Sequence, residues 1–180
     1  NDILGDSTKY FNDKGDLLLT SHDKLENAIV MISEGNLEAF QEKLTMAQQS
    51  QISADDDKLG KSLRGMGKSY IIDGMKEFLN TTQGDAPYEY GYEHGSYLYE
   101  DNGEIRIGSE NITQKRYRGV NLPTKKNAVG DLHTHPSAGK KDEPHTGSFQ
   151  VHEDKVSKIA VKFNNTFSKK ETDDFNPWNE

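Results

Sequence analysis

The sequence predicts an α+β fold: a mixed, curved β-sheet packed on a central helix, with an N-terminal hairpin and helix covering another side. Three observations predict it. Between about residues 36 and 80, apolar side chains recur at spacings of three and four, the period of an amphipathic helix. From about residue 88 onward the pattern changes to period-two alternation broken by turn signals, the texture of strands and hairpins. Apolar residues make up 32% of the 180 and the mean hydropathy is -0.92, enough for one core with little to spare.

Taken in order, "KYFNDKGDLLLT" holds two strand-like runs about Asn12-Asp13-Lys14-Gly15, a turn with glycine where positive φ is favoured. "LENAIVMIS" (25–33) reads as a third strand from its β-branched content, although its periodicity also admits a helix. Asn36 is suited to cap a helix through "LEAFQEKLTMAQQSQ", in which Leu37, Phe40 and Leu44 share a face. After the polar linker "QISADDDKLG", a long helix is expected over roughly 58–80, with Leu63, Met66, Tyr70, Gly74 and Phe78 along one stripe. Gly65, Gly67 and Gly74 each cost such a helix about 1 kcal/mol relative to alanine, so they imply close approach by a neighbouring element. "YEYGYEHGSYLYEDNGEIRIGS" predicts a hairpin turning at Glu100-Asp101-Asn102-Gly103. Its tyrosines (Tyr88, Tyr90, Tyr92, Tyr97, Tyr99) suit cross-strand packing. "QKRYRGVNLPTKKN" is a basic, turn-rich loop, "AVGDLHTHP" a short strand, "GSFQVHEDKVSKIAVKF" a second hairpin, and "SKKETDDFNPWNE" a terminal loop or short helix. The expected organisation is an N-terminal hairpin and helix over 1–57 and a functional domain over 58–180.

Composition excludes several classes of function. The formal net charge of -8 argues against a nucleic-acid partner, because phosphate neutralisation needs a basic surface. Cysteine is absent, which removes thiol nucleophiles, zinc-thiolate sites and disulfides. No apolar run approaches the ~18 residues of a membrane span, and no signal-peptide pattern is present. The chain starts at Asn1, not Met, and is expected to be a piece of a longer protein. Ser137 and Ser148 have no elbow or base triad around them, so a serine hydrolase is not expected.

"AVGDLHTHPSAG" (128–139) carries the chemistry. Alternate residues of a strand project to one face, so His133 and His135 lie together, and Pro136 ends the strand there. Two neutral imidazoles can converge on one zinc ion; a catalytic zinc takes three protein ligands and a water, and a second carboxylate near that water serves as general base.

The motif resembles the JAB/JAMM metalloprotease family: a glutamate strand, then His-x-His-Pro, then Ser-x-x-Asp. The stretch "YEHGSYLYEDNGEIRIG" looks like the glutamate strand, and the resemblance covers roughly residues 58–180. It implies a JAB/cytidine-deaminase-like fold, with Glu93 as general base and His133 and His135 as zinc ligands. The close-spaced Ser-x-x-Asp is missing after Pro136. The resemblance then places its serine at Ser168 and the third ligand at Asp173 or Asp174, in "FSKKETDDFNPW". His145 and His152 are alternative third ligands that zinc would also accept. The layout is similar to JAB-like domains at the C-termini of bacterial polymorphic toxins, Rhs-type and type VI secretion effectors included. It implies a peptidase or isopeptidase acting on a protein or peptide substrate, secreted or delivered into a target bacterium and neutralised by a cognate immunity protein. Two other functions stay open: a JAB-fold binding module without metal, and a metal-dependent nuclease using His133, His135 and His145.

Overall fold

The computed structural model describes residues 7–83, 92–116, 119–135, 146–153 and 157–164. It is an α+β protein whose chain forms two compact units, one built from residues up to Asp73 with Asp101–Ile105, the other from Gly74–Glu100 and Arg106 onward.

In the first unit, β1 (Thr8–Asn12) and β2 (Leu17–Ser21) form the expected hairpin, with Gly15 at φ 88° in its turn. β3 (Ala28–Ile32) runs parallel to β1, and β4 (Lys68–Ile71) runs antiparallel to β3, giving the order β2-β1-β3-β4. The sheet is therefore mixed. Every residue of β3 is buried, as in a strand covered on both faces. On one face Tyr10, Val30 and Ile32 pack with Phe40 of α1 (Glu34–Gln49) and Leu63 of α2 (Asp57–Arg64). The Tyr10 and Phe40 rings meet at 5.2 Å between centroids. Leu37 and Leu44 flank this core, so the face expected for α1 is the face it buries.

Two expectations are overturned here. The helix expected over 58–80 is interrupted: α2 ends at Arg64, β4 follows, and α3 (Asp73–Gln83) begins after it. Gly67 explains the break. A Cβ there would stand 2.4 Å from the Met31 carbonyl oxygen, so the chain leaves the helix to lie against β3, where the aromatic and β-branched "SYI" pairs. Tyr70, expected on a helical stripe, is fully buried on β4. The start of α1 also moves, because Ser33 occupies the N-cap position and Asn36 lies in the first turn, its amide donating to the Met66 carbonyl at 2.9 Å.

In the second unit, β5 (Gly95–Asp101) and β6 (Glu104–Ile107) form the hairpin expected from Asn102-Gly103, both residues having positive φ as a two-residue turn requires. The tip of that hairpin belongs with the first unit, where Glu104 and Ile105 pair with Ser69 and Tyr70. β7 (Gly130–His135) lies antiparallel to β5, and β8 (Thr146–Glu153) and β9 (Ser157–Asn164) continue antiparallel from it, as the second hairpin predicted. Met75 and Leu79 form the buried side of α3. No helix among the described residues is long and apolar enough to cross a membrane.

Candidate metal centre

β7 alternates as its sequence implies. Gly130, Leu132 and Thr134 are buried, whereas Asp131, His133 and His135 are half-buried on the other face. Leu132 and Thr134, with no exposed surface, hold the strand in place and so aim both imidazoles the same way. His133 sits opposite Gly95 of β5 and Ser148 of β8, and His135 opposite Thr146. Gly95 leaves room on that face, and Leu122 fills it: a Cβ at position 95 would stand 2.6 Å from the Leu122 side chain.

The two rings converge through their Nε2 atoms, 3.2 Å apart, with centroids at 5.0 Å and planes inclined by 58°. The Ser148 hydroxyl, buried on β8, lies 3.2 Å from His135 Nε2. Two nitrogens bound tetrahedrally to one zinc at about 2.0–2.1 Å stand about 3.3 Å apart. The observed separation is close to that bite, and is equally the length of a hydrogen bond between two imidazoles.

Glu93 precedes β5 and does not lie on a strand. Its backbone is tied on the side away from β7: the N–H donates to the Arg116 carbonyl at 2.8 Å, and the carbonyl accepts the Thr113 hydroxyl at 2.9 Å. On the β7 side, Thr134 N–H donates to the His94 carbonyl, and His94 N–H donates to Thr134 Oγ1, each at 2.9 Å. These bonds carry the Gly95–His133 pairing one residue further, to His94 and Thr134; Glu93 lies beyond the paired residues. The Glu93 carboxylate accepts the Gly119 N–H at 2.7 Å. The His94 ring turns instead to Asn111, with its Nδ1 2.6 Å from Asn111 Oδ1.

A second polar cluster secures the loop that carries Leu122 and Gly119. The Lys125 ammonium lies 5.4 and 5.7 Å from the ring centroids of Tyr97 and Tyr99 and pairs with Glu110, which also accepts the Tyr99 hydroxyl. The Tyr97 hydroxyl donates to the Pro123 carbonyl. Burial pushes the Glu110 carboxyl up, but the hydrogen bonds from Lys125 and Tyr99 outweigh it and hold the group below its ordinary value. The bond to Glu110, then that to Tyr99, raises Lys125. Burial, then the nearby Asp131 charge, raises Tyr97.

Of the residues expected at the site, the structure brings His133 and His135 together, whereas the contacts of Glu93 run to Gly119, Thr113 and Arg116. Ser168, Asp173 and Asp174 lie outside the described residues, as do Pro136, Ser137 and His145; His152 is on β8, its backbone paired with Lys158. Among the described residues, no group of three or more histidine, aspartate, glutamate or cysteine side chains is arranged to hold a metal. Leu122 escaped sequence reasoning, and Ser148 was weighed there only as a nucleophile, since only the β7–β8 register and the loop path bring them to the histidines. Compared with known proteins, the chain matches no family model, no curated protein and no solved structure.

Proposed function

We propose that this chain is a zinc-dependent peptidase or isopeptidase of the JAB type, a toxin or effector domain delivered into a bacterial target cell and neutralised by a cognate immunity protein. The observation that carries the reading is the 3.2 Å approach of the two Nε2 atoms at the end of β7. Delivery and the immunity partner rest on the sequence resemblance alone.

In this reading His133 and His135 hold the ion, and Asp173 or Asp174 is the third protein ligand. Zinc bound there supplies Lewis acidity toward the attacking water and the scissile carbonyl. Glu93 removes the proton from that water and returns it to the leaving amine. Its place two residues before Gly95, the partner of His133, supports that role, and the Gly119 N–H orients the carboxylate. Ser137 or Ser168 donates a hydrogen bond to the developing oxyanion.

One observation favours a second reading. Ser148 Oγ and His133 Nε2 both stand 3.2 Å from His135 Nε2, contacts that a metal-free JAB-fold binding module would keep as one bifurcated hydrogen bond at that nitrogen. Activity separates the two. The zinc-loaded chain, offered unfolded polypeptides, isopeptide-linked ubiquitin-like tails and peptidoglycan stem peptides, should cleave one of these classes. Glu93→Gln should lower that rate by ~10²–10⁴ while zinc is retained, the usual range for loss of a general base. Cleavage of none of them, or a Glu93→Gln variant as fast as wild type, would overturn the proposal.

A further inference from the structure

Arg64, at the C-terminal end of α2, is 8% exposed. A buried guanidinium needs partners for its donors, and most of this one is satisfied from behind. Nε and Nη2 donate to Thr8 Oγ1 at 3.1 and 2.7 Å, and Nη2 also donates to the Glu26 carbonyl. Thr8 passes its own hydroxyl hydrogen to Asp23 Oδ2 at 2.7 Å, and Asp23 is fully buried. The Asp23–Thr8–Arg64 chain thus balances the buried charge and fixes the plane of the guanidinium.

Among the described residues, Nη1 is the end left over. The Glu104 carboxylate stands 3.9 Å from it, beyond hydrogen-bond reach, and that side chain is 34% exposed. Between them opens a cleft of about 340 Å³, lined also by Lys61, Gly65 and Gly103. Lys61 precedes Arg64 by three residues, so both cations rise from one face of α2. The glycines leave the walls without side chains; a Cβ at Gly103 would meet nothing within 4 Å.

We propose that this cleft, apart from the histidine site, binds the oxyanion of a small molecule, a carboxylate or phosphate group. The oxyanion is held by Arg64 Nη1 and the Lys61 ammonium. A guanidinium whose orientation is already fixed loses little freedom on binding, which is what makes such a group an effective anion receptor. Glu104 is the internal occupant that the ligand displaces, since its carboxylate already lies toward the same nitrogen. The cleft volume falls within the range of small-molecule sites, ~300–1,000 Å³.

The test is a ¹H–¹⁵N titration of the full chain with sodium phosphate and, separately, sodium acetate, each against sodium chloride at matched ionic strength. Saturable shifts at the Gly65, Gly103 and Glu104 amides are expected with at least one of the two salts. The one that saturates identifies the ligand as phosphate-bearing or carboxylate-bearing. Lys61→Ala should weaken that response about fivefold and Glu104→Gln strengthen it about fivefold, the equivalent of about 1 kcal/mol each. Both substitutions are at exposed or half-exposed positions, so the fold survives them. Shifts no larger than those with chloride, or a response indifferent to both substitutions, would overturn the proposal.

Discussion

Gly67→Ala tests the account of residues 57–83, because its two descriptions differ in sign. In an uninterrupted helix the substitution would stabilise by about 1 kcal/mol, alanine being the better helix former. In the structure the new Cβ meets the Met31 carbonyl oxygen at 2.4 Å, Ile32 Cδ1 at 2.9 Å and Val30 Cγ1 at 3.0 Å. The carbonyl cannot retreat freely, since Met31 is paired with Lys68 at the end of the β3–β4 ladder. Overpacking of this kind costs about 1–3 kcal/mol. At about 2–4 °C per kcal/mol for a chain of this size, the melting temperature should fall by about 2–12 °C. Gly35→Ala is the matched control: it lies in the first turn of α1, a Cβ there meets nothing within 4 Å, and it should leave the melting temperature unchanged or raise it. Thermal unfolding followed by circular dichroism reads both. A Gly67→Ala protein melting at or above wild type would refute the packing argument and restore the long helix.

Two further outcomes are expected. Glu110 has its carboxyl lowered from the ordinary 4.5, so its stabilisation is present above that value and is lost as pH falls through the lower folded value; Glu110→Gln should flatten the acid limb of a stability–pH profile, and identical limbs would count against the Lys125 clip. His94→Ala should leave zinc stoichiometry unchanged, because its ring turns to Asn111, whereas His135→Ala should abolish it; equal loss in both would place the metal elsewhere.

Much of the architecture was legible because local signals agreed with tertiary context. Asn102-Gly103 and the Asn12–Gly15 turn demanded positive φ that glycine supplies, and "GDLHTH" alternates in burial as it does in polarity. The segment 58–80 misled because a four-residue strand is too short to break a three-four spacing that Leu63, Met66 and Tyr70 satisfy by coincidence. What decides it is the carbonyl of Met31, 36 residues earlier, pressed against Gly67. Asn36 misled in the same way, its amide being taken by the distant Met66 carbonyl rather than by its own helix end. At the site the histidine pair was readable from spacing alone. Ser148 was not, since it reaches His135 only through the β7–β8 register, 13 residues along the chain.

Whether the paired Nε2 atoms hold a metal decides what this chain does. The decisive measurement is zinc content by plasma mass spectrometry together with the imidazole ¹⁵N shifts of the zinc-loaded chain. About one zinc per chain is expected, with the Nε2 resonances of His133 and His135 moving together on loading. The histidine variants should lose the ion, and Asp173→Ala beside Asp174→Ala should show which acid completes the site. A chain that takes up no zinc, or that binds it while both rings keep titrating as free imidazoles, would contradict the metal centre.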